Sequence, residues 1–153
     1  MGIHTITNNI FTKVFAKKGY ECGILIKLNK PAIIQKIHLQ VARCTYDTVF
    51  YRVNIYNVER NDIYTNILER PIYIKIAKDQ IKETISFNLM DYNIRVDNDF
   101  LITLEYVKDL GPGEISFHSS LVHGSYFRET SQDTWVTIPL GGFGMTVDVA
   151  IEK

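Results

Sequence analysis

Apolar residues recur at every second position along most of this chain, the pattern of a sheet with one wet and one dry face. Ile24, Ile26 and Leu28 oppose Leu25 and Lys27, and Ile37, Leu39 and Val41 alternate with Lys36, His38 and Gln40. A turn signal, Leu28-Asn29-Lys30-Pro31-Ala32, separates these two segments, so they read as an antiparallel hairpin. Val49, Tyr51, Val53 and Ile55 face one way against Arg52, Asn54 and Tyr56, and Ile72, Ile74 and Ile76 alternate with Tyr73 and Lys75. Between them 59–70 is polar and aperiodic, and Pro71 disfavours helix just before it, so this stretch reads as an excursion loop. Further strands are expected over 84–89, 100–107, 114–119, 125–129, 135–138 and 145–151, with one short helical turn near 78–82.

About ten short strands at roughly 8–12-residue spacing, separated by signals such as Gly111-Pro112-Gly113 and Pro139-Leu140-Gly141-Gly142, predict an all-β fold. The expected architecture is an antiparallel two-sheet β-sandwich in jelly-roll order, of the galactose-binding-domain-like kind, with a closed barrel as the alternative. No stretch long enough for a crossover helix recurs, which excludes a parallel α/β sheet. Composition agrees: Ile, Val, Thr, Tyr, Phe and Trp total 62 residues, whereas Ala, Leu and Met total 18. The 153 residues fit one domain, 1–153, with 1–19 as an N-terminal strand or arm.

Charge narrows the partners. Seventeen basic residues balance seventeen acidic ones, and no basic cluster exceeds a pair such as Lys17-Lys18, so nucleic acid is not expected. No apolar run approaches the roughly 18 residues of a membrane span, so membrane insertion is not expected. The start, Met1-Gly2-Ile3-His4-Thr5-Ile6, lacks the basic and apolar regions of a secretory signal; any export signal is expected outside this sequence. Cys22 and Cys44 are expected to be free thiols.

Catalytic chemistry finds little support. His4, His38, His118 and His123 with the two cysteines show no metal-site spacing, and His38, on the polar side of its strand, reads as solvent-exposed. His123-Gly124-Ser125 lacks the strand-turn-helix context of a nucleophile elbow, and the acidic residues are mostly single. Gly141-Gly142-Phe143-Gly144 leads into a strand, so no helix N-terminus awaits a phosphate. No enzyme activity and no cofactor are expected. Asp97-Asn98-Asp99 offers oxygen ligands, making Asp97 and Asp99 weak calcium candidates, but an Asx-rich triplet before a strand more often forms a turn. The most suggestive stretch runs over 125–135, where Tyr126 and Trp135 could stack on a sugar while Arg128, Gln132 and Asp133 hydrogen-bond its hydroxyls. The competing structural reading has Trp135 capping the core and 131–134 forming a polar hairpin turn.

Several phrases form a familiar set: Glu21-Cys22-Gly23, Phe50-Tyr51-Arg52-Val53-Asn54-Ile55-Tyr56, Asn66-Ile67-Leu68 before Pro71-Ile72-Tyr73, Tyr92-Asn93-Ile94 with Asp99-Phe100, and Thr130-Ser131-Gln132-Asp133 with Trp135. Over most of 20–150 the chain resembles the β-sandwich region of carboxypeptidase-like regulatory-domain proteins of Bacteroidota, which despite the name are not peptidases. The resemblance implies a periplasmic or cell-surface protein of the envelope without catalytic residues, although this sequence shows no counterpart of that family's upstream module. The expected function is a non-catalytic envelope binding module, with a glycan or an envelope protein as partner. The alternative is a structural or protein-protein interaction domain, motivated by the outward apolar residues Leu25, Leu101 and Val107.

Overall fold

A computed structural model describes residues 6–14, 18–60, 62–81, 84–120, 124–138 and 142–153. Nearly all of its regular structure is antiparallel sheet, as the period-two alternation predicts. One seven-stranded sheet runs in the order β13 (Val136–Ile138), β12 (Ser125–Arg128), β2 (Glu21–Ile26), β10 (Phe100–Tyr106), β5 (Thr48–Glu59) and β6 (Asp62–Asn66). The seventh strand, β7 (Ile72–Ala77), pairs with the first half of the long β5. Two smaller sheets pack against it. In one, β11 (Ile115–Ser120) pairs with β1 (Ile6–Val14), β4 (Val41–Cys44) and β14 (Gly142–Phe143). In the other, β3 (Ala32–Leu39) pairs with β15 (Met145–Ile151), β8 (Ile85–Asn88) and β9 (Arg95–Val96). Backbone bonds stitch the two together where β3 runs into β4: Gln40 N–H donates to Gly144 O, and His118 N–H donates to Gln40 O.

The core lies between these layers. Ile24, Val53, Ile55, Ile102 and Leu104 from the large sheet meet Ile34, Ile37, Leu39, Phe117 and Met145 from the smaller ones. Tyr51 packs its ring against Tyr106 at 4.6 Å and Phe117 at 6.5 Å, and all three are fully buried. The arrangement is an all-β sandwich; jelly-roll order is not established by these pairings.

Three expectations need correction. β2 and β3 do not form a hairpin. β2 lies between β10 and β12, whereas β3 pairs with β15, β8 and β9. Both strands have a core-facing side, and the 27–31 segment therefore acts as a corner between layers, held where Leu28 N–H donates to Asp99 Oδ1 at 2.8 Å. The 59–70 loop contains a strand: β6 returns along the end of β5 through a turn in which Arg60 has φ 53°. Leu101 is outward from the core but 0% exposed, buried with Tyr56 and Val58 in a second apolar cluster that Leu25, Ile63, Tyr126 and Trp135 complete. It cannot serve as a contact surface. The predicted turn near 78–82 appears as a 3-10 turn, Lys78–Gln80. Expectations that involve His4, His123, Lys17, Lys82 or 139–141 fall on residues outside the described ones.

Cys22 and Cys44 are buried free thiols. Burial, with the Glu21 charge adding to it, pushes the Cys22 thiol up to about 12, and burial also raises Cys44. Because the thiolate is the reactive form, neither cysteine should react with a disulfide reagent in the native protein at about pH 8, while both should react promptly in denaturant. Fast native labelling of either would contradict this packing.

Candidate functional site

The 125–135 segment folds as the β12–β13 hairpin at one edge of the large sheet. Strand alternation turns Tyr126 and Arg128 to the face away from the core, across from Gly23 and Glu21. Tyr126 is half-buried in the second apolar cluster. Arg128 meets Glu21 at 3.0 Å, with the Arg128 side chain 11% and the Glu21 side chain 1% exposed. The guanidinium lies 4.1 Å over the Trp135 ring and donates to Ser131 O at 2.9 Å. The Trp135 and Tyr56 rings meet edge to face with centroids 5.6 Å apart. Gln132 and Asp133 sit at the exposed tip, where Asp133 Oδ2 accepts from Thr130 N–H at 3.0 Å. The structure thus joins Tyr126, Arg128 and Trp135 and leaves Gln132 and Asp133 to the turn. Arg128 is engaged by Glu21, the Ser131 carbonyl and the Trp135 ring, and its side chain is 11% exposed.

What the hairpin covers is a polar network. Glu21 Oε1 accepts from Asn54 Nδ2 at 3.0 Å, from the Tyr56 hydroxyl at 2.8 Å and from the Thr103 hydroxyl. Burial, followed by the neighbouring Glu21 charge, pushes the Tyr56 hydroxyl well up, which keeps it a donor. Asn54 Nδ2 also donates to Glu105 Oε2 at 2.8 Å, and Arg52 grips Glu105 through Nε and Nη2 at 2.7–3.1 Å. Two carboxylates therefore share one amide donor, the kind of proximity that glycoside cleavage uses. Here both oxygens of Glu21 are taken up by donors and solvent does not reach it. The pair anchors strands; a substrate could not touch Glu21 without dismantling the network. None of these partners stands out from sequence as a site.

An open concavity occurs elsewhere. A cleft of about 560 Å³ lies at the end of the sandwich where β10 begins and β5 ends. Phe100 lines it, while Glu105, near the far end of the same strand, belongs to the network. At roughly 3.4 Å per residue the two places are about 17 Å apart along β10. Asn57 occupies a core-side position of β5 just beyond the buried Ile55 and lines the cleft, and its Oδ1 is buried with no hydrogen-bond partner among the described residues. Such an acceptor costs about 1–3 kcal/mol unless a donor reaches it. Tyr92, half-buried, forms part of the wall, and the exposed Arg70 guanidinium lies 4.5 Å over its ring while donating to Asp91 O at 3.2 Å. Asn93, held with φ 48° where the Met90–Tyr92 turn ends, and Asn98 add amides to the rim.

The calcium candidates also border this cleft, but each is occupied. Asp99 accepts from Leu28 N–H and pairs with Lys27 at 3.2 Å; Asp97 pairs with Arg95 at 2.6 Å. Asp99 thereby ties the interlayer corner through a bond to backbone 71 residues away, not through the local Asx bond expected of the 97–99 triplet. Among the described residues no three His, Cys, Asp or Glu side chains gather to hold a metal ion. His38 is not free in solvent as read from sequence: Nδ1 lies 2.6 Å from Ser86 Oγ and Nε2 2.8 Å from Asp148 Oδ2, because β8 and β15 flank β3 and place these polar side chains beside it. No helix among the described residues is long and apolar enough to cross a membrane. No family model matches the chain, and no curated protein or solved structure matches it.

Proposed function

We propose that this chain is a non-catalytic binding module that recognises carbohydrate through the cleft at the β5–β10 end of the sandwich. The observation that carries this reading is the concavity itself: a cleft of about 560 Å³ with Tyr92 in its wall, the Arg70 guanidinium beside that ring and the amides of Asn93 and Asn98 at its rim. Sugars offer apolar ring faces for aromatic walls and many hydroxyls for fixed amide, carboxylate and guanidinium groups. The resemblance to envelope proteins of Bacteroidota supports a periplasmic or cell-surface setting for such a module. A glycan array with the full chain tests the reading. Binding should fall at least about tenfold in Arg70→Ala, a loss of roughly 1.4 kcal/mol, with an unchanged melting temperature because Arg70 is exposed. Absence of glycan binding, or binding that Arg70→Ala leaves intact, would sink it.

A second reading, a protein-interaction domain, is favoured by one observation. The edge strand β13, which no further strand pairs among the described residues, carries Val136 at 48% and Ile138 at 41% exposure, and such an apolar edge is a template for pairing with another chain. Self-association lost in Val136→Lys would favour it; a monodisperse monomer would count against self-pairing.

A further inference from the structure

We infer that Ser86 is an activated nucleophile that takes an acyl group from a thioester or another acyl donor with a good leaving group. Its site shares no residue with the cleft, so the inference does not rest on the carbohydrate reading. Three strands supply the groups. Ser86 on β8 stands directly across from His38 on β3, while Asp148 on β15 lies opposite Lys36, two residues along β3 on the other side. His38 Nδ1 is 2.6 Å from Ser86 Oγ, and Nε2 is 2.8 Å from Asp148 Oδ2. An ionised carboxylate only accepts, so Asp148 requires Nε2 to carry the proton of the neutral ring. Nδ1 is then an acceptor, and the Ser86 hydroxyl donates to it. A hydroxyl donating to a base that a third group holds in place is the arrangement that activates serine. The two ring nitrogens are exchanged relative to the serine-hydrolase triad, but the three groups stand in the same relation.

The sheet holds the base and exposes the nucleophile. β3 runs between β15 and β8, so the His38 ring, 22% exposed, is gripped from both sides, whereas Ser86 is open to a reagent. The β15–β3 register shifts immediately after Asp148, and such irregularities re-aim side chains and recur beside active sites. In the reaction Ser86 Oγ bonds to the acyl carbon and the carbon–sulfur bond of the thioester breaks. The hydroxyl proton passes to His38 Nδ1 and then to the departing thiolate, while Asp148 stabilises the charged ring between the two transfers; nothing is oxidised or reduced. β3 spends its backbone donors on β8 and β15, so it offers no pair of free amides to a developing oxyanion. Acylation therefore relies on a good leaving group, and the alkyl ester left on Ser86, which lacks one, persists. Ser86 is thus an acyl acceptor and not the centre of a turning-over hydrolase.

The test treats the full chain with a fluorophosphonate, which loses fluoride to an activated serine, and separately with the acetyl thioester of N-acetylcysteamine. Peptide mass spectrometry locates the modified residue, and released thiol is counted. Both reagents should modify Ser86 about 100-fold faster than an exposed serine without a base, such as Ser131. Thiol release should stop after one burst equivalent to the chain. His38→Ala should slow Ser86 labelling about 100-fold, and Asp148→Asn at least about tenfold, with melting temperatures little changed because these side chains lie at the surface. Added imidazole should restore labelling in His38→Ala but not in Ser86→Ala, a rescue that a merely structural role of the ring would not produce. Labelling of Ser86 no faster than of Ser131, or labelling that both His38→Ala and Asp148→Asn leave intact, would overturn the inference. Thiol release continuing well beyond the burst would overturn the acceptor role.

Discussion

Replacing Arg128 by alanine is expected to cost about 3–5 kcal/mol of folding free energy, measured as a drop in the urea midpoint at unchanged slope. The size follows from what remains behind. Glu21 is 1% exposed, and its Oε2 is held by Arg128 Nε at 3.1 Å. Without the guanidinium, a carboxylate is left in the protein interior facing only neutral donors from Asn54, Tyr56 and Thr103. Trp135 also loses the cation 4.1 Å above its ring, so the hairpin should loosen along with the network. Glu21→Leu combined with Arg128→Met should recover much of the loss, because removing both charges removes the desolvation problem. An exposed pair provides the contrast: Arg95→Ala breaks contacts to Glu152 and Asp97 that solvent already screens, and should leave the midpoint where it was. A loss below about 1 kcal/mol for Arg128→Ala would mean that the ion pair is not buried as described.

Gly23→Ala should be almost as damaging, at about 3 kcal/mol or more. A Cβ at this position would lie 2.0 Å from the Ile102 carbonyl oxygen and 2.6 Å from Thr103 Cα. Both are backbone atoms of the neighbouring strand and cannot swing aside, so β2 and β10 would have to separate in the middle of the large sheet. Gly111 is the control. It has φ +72° and nothing within 4 Å of where a Cβ would sit, so alanine there meets only the left-handed backbone penalty of about 1–2 kcal/mol. If thermal or urea unfolding ranked Gly111→Ala as the worse substitution, the close approach of β2 to β10 would be wrong.

These two sites show how closely the hairpin and β2 are built into the large sheet. The aromatic and charged residues of 125–135 suggest a sugar-binding cluster because a sequence displays side-chain types without their partners. Glu21, which answers Arg128, is 107 residues away along the chain. Asn54 and Tyr56 read as the polar side of a strand, but the second apolar cluster and the β12–β13 hairpin bury them. The cleft is equally hidden: its lining comes from the end of β5, the 67–70 segment and 92–100, stretches that look like ordinary loop and turn composition.

Local pattern alone was enough to set the class of structure, since period-two alternation and β-branched and aromatic richness are properties that any strand must satisfy within its own few residues. It also placed most strands and the turn that became Lys78–Gln80. Pairing was beyond it. Whether 27–31 closes a hairpin or crosses between layers depends on which sheet offers the lower-energy neighbour, and Asp99, far along the chain, settles that by capping Leu28. Burial of the second face was beyond it as well: Leu101 and Leu25 look outward by alternation, but the side chains that cover them come from β5, β6 and the hairpin. Which polar groups are satisfied depends on partners that only long-range packing supplies, and that separates the saturated Glu21 network from the cleft, where Asn57 still lacks a donor.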